Sequence, residues 1–517
     1  MGELIFKPQF VQKGVGPHLL DWAYASDENW DAFHSNITSS DEGVKISDTE
    51  GKKEFGIDVR WNVEGFGYIY ITADNGGEFY ELPGSGQSRM LNLNFELAKS
   101  RVLRNRRRVV KHSQNGWTLS HELKSLLDLS EDLFSDAQKV LSDDAKCGEL
   151  SQRALYYAMT ASEKLELEKA EFDIAGRGFR NDFFFGCDGK SYFQMSKNLF
   201  MERFAEVFNY GMITYVVNGD AEMGLFEPNE GELNFAHRDL LFQDFRKHGI
   251  TVTGRPLFWF HGWVTPDWLR QKSYDELLKY VEKHTRDVIN HYGDGMYAWE
   301  VVNEIHDWAN AHELTPEQNV ELTKFACDVA RDAAPKVHRM INNCCPYAEY
   351  VQLKQWAGRG NPPAKYPQRT PWQFTRDCVE AGVDFTLLGQ QMYFPYRDLQ
   401  DIIILLERFE QFGKPLQLSE VGVSSGPTEE TINNGRLGFP AEPHIWRRPR
   451  DEELQADWME AVYTLAYSKP FIEAAVWFDF LDTYAYIRNG GFLRSGRRPE
   501  KKPVFNRLLK LQEKWKR

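Results

Sequence analysis

Two apolar runs in this chain end on a glutamate: Tyr297-Ala-Trp-Glu-Val-Val-Asn-Glu304 and Leu416-Gln-Leu-Ser-Glu420. Two carboxyl groups facing each other across a cleft can divide the work of breaking a glycosidic bond. One, protonated, assists departure of the leaving oxygen, and the other, ionised, attacks the anomeric carbon. A lone glutamate at a strand end is most often structural or solvated. Two of them, on the fourth and seventh strands of one barrel, favour the chemical reading.

The elements that must position them follow from periodicity. From about residue 177 short apolar strands alternate with amphipathic segments such as Ser273–Tyr292 and Thr315–Ala333. The strands are expected at Phe183–Cys187, Met212–Asn218, Val252–Phe260, Tyr297–Glu304, His338–Asn343, Phe385–Tyr393, Leu416–Val423 and Ala474–Phe480. Eight strand–helix units predict an α/β fold, a (β/α)8 TIM barrel over 177–517, whose chemistry sits at the C-terminal strand ends. A doubly wound open sheet is the competing topology, but no Gly-rich phosphate loop follows the first strand.

Ahead of the barrel, residues 55–72 alternate with Val59, Trp61 and Val63 on one face, and Leu91–Phe95 alternates again. With turn signals between short strands, residues 1–115 read as a β-sandwich-like domain. Trp61, Tyr68 and Tyr70 make it a candidate carbohydrate-binding module, with a purely structural role as the alternative. Residues 116–176 contain almost no Gly or Pro and carry helical apolar spacing, so they read as an α-helical connector.

The 517 residues contain 62 Lys+Arg and 76 Asp+Glu, a net charge of −14. That surface disfavours nucleic acid and anionic membrane as partners. The basic run Arg104–Lys111 is then a solvated strand edge or an interdomain ion-pair surface. Aromatic residues make up 14% of the chain, enough to suit a sugar-binding cleft but also an ordinary core. The six cysteines have no zinc-ligand spacing and read as free or buried thiols, so no metal or other cofactor is expected. No apolar run is long enough to span a membrane and no signal peptide is visible. The chain is therefore expected to be cytoplasmic or a trimmed mature form.

YAWEVVNE resembles the acid/base motif of glycoside hydrolase family 10, the barrel xylanases of clan A, and LQLSEVGV resembles that family's nucleophile motif. FEPNEGELNFAHRD, Ile341-Asn-Asn343, LLGQQMY and VWFDFLDTYAY are similar to further family segments, so the resemblance covers about residues 177–517. It implies a retaining β-glycoside hydrolase acting on β-1,4-linked glycan, xylanase-like, with Glu304 as acid/base and Glu420 as nucleophile. It also implies carboxyl groups about 5–5.5 Å apart and a raised pKa at Glu304. Asn303 matches the residue that binds the sugar 2-hydroxyl, Gln391 lines the site, and Trp477 matches the indole beneath the reactive sugar or packs in the core. Tyr393 stands where the family has a histidine, and a phenol can serve Glu420 in its place. His261 is the match on the third strand, although counting without a gap gives Phe260. Glu222 falls where the family has a sugar-gripping lysine, which puts xylan itself in doubt. The aromatic residues Tyr347, Tyr350, Trp356 and Trp372, and the loop holding Asn433-Asn-Gly435 and Ile445–Arg450, are candidates for leaving-group contacts or for closing the cleft. The alternatives are a β-glycosidase for another polysaccharide or a glycosylated small molecule, or a non-catalytic glycan-binding barrel. The oligomeric state is left open.

Overall fold

The computed structural model describes residues 2–12, 23–40, 42–114, 116–218, 223–354, 363–393, 396–426 and 445–516. The first strands are β1 (Glu3–Lys7), β2 (Ala23–Ser26), β3 (Ala32–Phe33), β4 (Asn36–Ser40) and β5 (Gly43–Asp48). They are followed by β6 (Gly56–Val63), β7 (Gly67–Ala73) and β8 (Ser88–Asn92). One sheet has the order β4-β5-β1-β8, and a second includes β7-β6-β2-β3. Leu4, Val44 and Ile46 from the first sheet share a core with Ile57, Val59, Trp61 and Ile71 from the second.

Helices close this core. They are α1 (Leu93–Ser113), α2 (His121–Lys139) and α3 (Asp144–Arg177). Residues 93–113 are thus helical, where sequence alternation had placed more sheet. The reason is local: the Asn92 side chain accepts from the Phe95 amide and starts a helix immediately after β8. Leu93, Leu97, Arg101, Arg104 and Arg108 then recur at helical spacing and are buried.

The barrel strands are β9 (Phe184–Asp188), β10 (Tyr210–Thr214), β11 (Thr251–Arg255) and β12 (Ala298–Asn303). They continue as β13 (His338–Asn343), β14 (Leu387–Tyr393) and β15 (Leu416–Gly422). After the short β16 (Ile445–Trp446), β17 (Ile472–Trp477) closes a parallel barrel against β9. All eight strands lie at the expected positions, so the barrel predicted from periodicity is the observed fold. Tyr210, Met212, Ala474 and Val476 pack together in the interior. Capping boxes at Ser273/Glu276 and Thr315/Gln318 start two of the surrounding helices where the sequence places them.

The sheet domain is fastened to the barrel by charge. Arg101 makes a two-pronged contact with Asp398, at 2.9 and 2.6 Å, and Arg104 reaches Asp401 at 2.7 Å. Asp398 caps the barrel helix Leu399–Phe409. The basic run therefore forms an interdomain ion-pair surface, carried on a helix rather than on a strand edge. Strand β16, which lies beyond the strand bearing Glu420, pairs antiparallel with β7 as an edge strand of the second sheet. Gly67 permits this approach, since a Cβ there would lie 2.4 Å from the Ile445 carbonyl oxygen. Trp61, Tyr68 and Tyr70 are buried in the sheet domain, so they offer no exposed platform for sugar and the binding-module reading loses those three rings. All six cysteines are buried and unpaired by disulfides.

Candidate active site

The residues singled out by the glutamate motifs come from the C-terminal ends of β12, β14 and β15 on one face of the barrel, where the regular ladder is interrupted. Register shifts occur between Glu300 and Val302, between Gln390 and Gln391, and between Leu418 and Val421. Such irregularities re-aim side chains at the ends of strands. Glu304, one residue beyond β12, adopts a positive φ of 57°. That backbone region is costly for a residue with a Cβ, and strain of this kind collects at functional sites.

Glu304 and Glu420 face each other through one amide. Gln391 Nε2 donates to Glu304 Oε1 at 2.7 Å and to Glu420 Oε1 at 3.1 Å. The two oxygens that share this donor lie within about 6 Å of each other, which accommodates the separation of about 5–5.5 Å expected of a retaining pair. The second oxygen of Glu304 accepts from the Trp259 indole at 2.8 Å. Burial, reinforced by the charge of Glu420, pushes Glu304 up to about 8. It is therefore protonated at neutral pH.

Glu420 is held from two sides. The Tyr393 hydroxyl donates to Oε2, and the Arg255 guanidinium pairs with Oε1. Tyr393 stays a neutral phenol, because burial and the adjacent Glu420 charge raise it well above its ordinary value. Behind Arg255 lies Glu300, fully buried, 3.5 Å from the guanidinium Nε. Burial pushes Glu300 up to about 7, opposed by Arg255 and reinforced by Glu420.

Asn303 belongs to the same cluster. Its side-chain oxygen accepts from Asn342 Nδ2 at 3.1 Å and from Gln391 Nε2 at 3.4 Å. That arrangement turns its own amide nitrogen away from both donors. His261 sits beside Trp259, with ring centroids 5.2 Å apart, and takes the Trp263 amide on Nδ1. Burial lowers it to about 4, so it is neutral. Phe260, the ungapped alternative, is buried against His312.

Trp477 is not at the site, which corrects its assignment as a substrate-binding residue. Its indole is 0% exposed, packs edge-on to Trp458 and Phe492, and donates to the Gly490 carbonyl at 2.8 Å. Alternation along β17 explains the placement: Ala474 and Val476 face the barrel interior, so 477 faces the helices. The next residue, Phe478, takes the inward position, with Arg255 over its ring at 5.2 Å and Tyr486 at 5.4 Å. Tyr347 and Tyr350 are buried, and Trp372 packs on Phe412. These rings support the loops rather than line a cleft. Glu222, Trp356 and the Asn433-Asn-Gly435 segment lie outside the described residues.

Arg255, Trp259, Phe478 and Tyr486 were not singled out by sequence reasoning. An arginine ending an apolar strand was a usable signal for the first, and strand parity for Phe478. Trp259 and Tyr486 gave no signal apart from their aromatic character.

The family model for glycosyl hydrolase family 10 matches residues 196–510. The chain belongs to that family. Among curated relatives, endo-1,4-beta-xylanase 2 of Claviceps purpurea is 28% identical over 171 residues, 31% of this chain and 51% of the relative. Endo-1,4-beta-xylanase B of Thermotoga neapolitana is 22% identical over 271 residues, 51% of this chain and 65% of the relative. The chain thus spans about half to two thirds of these relatives' length. Among solved structures, native xylanase 10B of Thermotoga maritima aligns with a TM-score of 0.48 at 18% identity, covering 67% of this chain and 98% of that one. Within this family 10 chain, residues 1–195 precede the matched region and include both sheets' first eight strands.

Proposed function

We propose that the protein is a retaining β-glycoside hydrolase that cleaves β-1,4-linked glycan of the xylan type by double displacement. The observation that carries this reading is the Gln391 amide bonded to both Glu304 and Glu420, one of them raised to about 8 and the other paired with Arg255. In the first step a Glu420 oxygen attacks the anomeric carbon while Glu304 gives its proton to the departing glycosidic oxygen. The product is a glycosyl ester on Glu420 and a free leaving chain. Glu304, now a carboxylate, takes a proton from water, which attacks the same carbon and releases Glu420. Tyr393 and Arg255 orient the nucleophile, and Trp259 orients the acid. Asn303 presents its amide to the sugar 2-hydroxyl, while Phe478 and Tyr486 wall the reacting ring.

The test is turnover of defined xylo-, gluco- and manno-oligosaccharides together with aryl β-glycosides, with products identified. The xylo-oligosaccharides are expected to be cleaved internally, and Glu420→Gln is expected to abolish turnover. Cleavage confined to gluco- or manno-oligosaccharides would overturn the xylan assignment. Binding without turnover of any member would overturn the hydrolase reading and favour a glycan-binding barrel.

A further inference from the structure

The basic run of α1 does more than fasten two domains. Between α1, the turn at 74–79 and the barrel helix Leu399–Phe409 lies an open groove of about 470 Å³. Five cationic side chains line it against two carboxylates, Asp74 and Glu407, in a chain whose net charge is −14. Most of these cations are committed. Arg108 pairs with Glu166 and Glu407, and Lys111 reaches Glu407 at 2.8 Å. Arg107 differs: among the described residues it forms no ion pair, and it donates only to the Gly76 carbonyl. Its guanidinium lies on the glycine turn, where a Cβ at Gly77 would come within 2.9 Å of it. The fork is thereby held in place, and the carboxylate that acts on its charge, Asp74, is already paired with Arg104.

Two aromatic rings border the same groove, and both sit on strained backbone. Trp30 has φ 65° and Phe79 has φ 57°, a region that bulky residues rarely adopt. Each remains half-buried, whereas Trp61, Tyr68 and Tyr70 in the same domain are buried. Flat rings beside an uncommitted guanidinium fork suit a sugar ring bearing a carboxylate or sulfate. Arg104 lies over one face of Trp30, 4.5 Å from its centroid, so the apolar surface on offer is the other face of Trp30 together with Phe79, and the fork can bind the anion through two parallel hydrogen bonds. The barrel helix runs back from the C-terminal face, so Glu407 and Arg408 near its far end place the groove on the flank of the barrel, apart from Glu304 and Glu420.

We propose that this groove binds an acidic glycan segment, its carboxylate or sulfate on Arg107 and its ring against Trp30 and Phe79. The choice of a glycan as the carrier of the anion rests on the hydrolase reading above. The site holds a charged region of the polymer on the flank while the barrel mouth acts elsewhere.

The test is calorimetric titration of the full chain carrying Glu420→Gln, which prevents turnover of the probes. The probes are a glucuronate-bearing xylo-oligosaccharide, its neutral counterpart and inorganic sulfate. The acidic oligosaccharide is expected to bind at least tenfold more tightly than the neutral one, with affinity falling as salt rises. Arg107→Glu, and more mildly Arg107→Gln, are expected to remove that advantage. In the otherwise wild-type chain, Arg107→Glu leaves aryl β-glycoside hydrolysis unchanged. Equal binding of acidic and neutral probes, or an undiminished advantage in Arg107→Glu, would overturn the proposal. Sulfate binding as tightly as the acidic oligosaccharide would overturn the glycan assignment. Because binding is read without turnover, an inactive enzyme that still prefers the acidic probe would refute the hydrolase reading and leave the groove standing.

Discussion

Replacing Glu420 by Gln should lower the pKa of Glu304 by a calculable amount. Glu304 reaches about 8 through burial first and the Glu420 charge second, with Gln391, Trp259 and Arg255 opposing. Two charges no more than about 6 Å apart at an effective dielectric near 20 interact by roughly 3 kcal/mol or more, about 2 pKa units at the limit. The Arg255 guanidinium leaves with no carboxylate at position 420 in the variant and then acts more fully on Glu304, which adds to the fall. Burial is untouched by the substitution and keeps the carboxyl above its ordinary 4.5. Glu304 is therefore expected to titrate between about 5.5 and 6.5 in Glu420→Gln. The assay is carboxyl carbon NMR of glutamate-labelled protein, with the Glu304 resonance identified by its loss in Glu304→Gln. An unchanged titration would refute the coupling between the two carboxylates. A high value in the variant paired with an ordinary value in the wild type would refute the assignment of Glu304 as the acid.

The same shift has consequences for activity and stability. The acid must be protonated, so kcat/KM is expected to fall as pH rises through about 8, the Glu304 value, and a pH–rate profile with no basic limb there would count against it. Between its unfolded value near 4.5 and about 8, folded Glu304 keeps a proton that the unfolded chain has released. Stability thus drops by about 1.4 kcal/mol per pH unit across that window. Glu304→Gln is expected to raise Tm at pH 8 and not at pH 4, and an equal effect at both would refute the linkage. Tyr393→Phe removes the hydroxyl donor to Glu420 and is expected to cost about 10²-fold in kcat with little change in KM. Trp477→Phe is expected to lower Tm while leaving KM unchanged, and a large rise in KM would return Trp477 to the site. Asp398→Ala removes the two-pronged partner of the buried Arg101 guanidinium, leaves it only Asp401 as a carboxylate, and should cost about 3 kcal/mol in denaturant unfolding, whereas Arg101→Met with Asp398→Leu should cost far less.

The barrel was legible because its strands are short apolar runs alternating with helical segments, several of which carry a capping box or an Asp cap, so local pattern and global fold agree. Glu304 and Glu420 were legible because they end such runs. Trp477 misled because a motif match carries no parity, and one position along β17 separates the inward face from the outward one. Arg255 was hidden for a different reason: its contacts with Glu420 and Glu300 join three strands far apart in sequence, and nothing local announces them. The helix at 93–113 was misread because the alternation through Leu91–Phe95 runs straight into its first turn, and the Asn92 cap is what divides them. The half-buried aromatic residues Trp30 and Phe79 sit in turns rather than on a periodic face.

The central claim is double displacement on Glu420 with Glu304 as acid and base. Proton NMR of the first product formed from an aryl β-glycoside or β-1,4-oligosaccharide tests it most directly, before mutarotation mixes the anomers. The β-anomer is expected to appear first. The α-anomer appearing first would mean a single inverting displacement, and would contradict the mechanism drawn from the shared Gln391 contact.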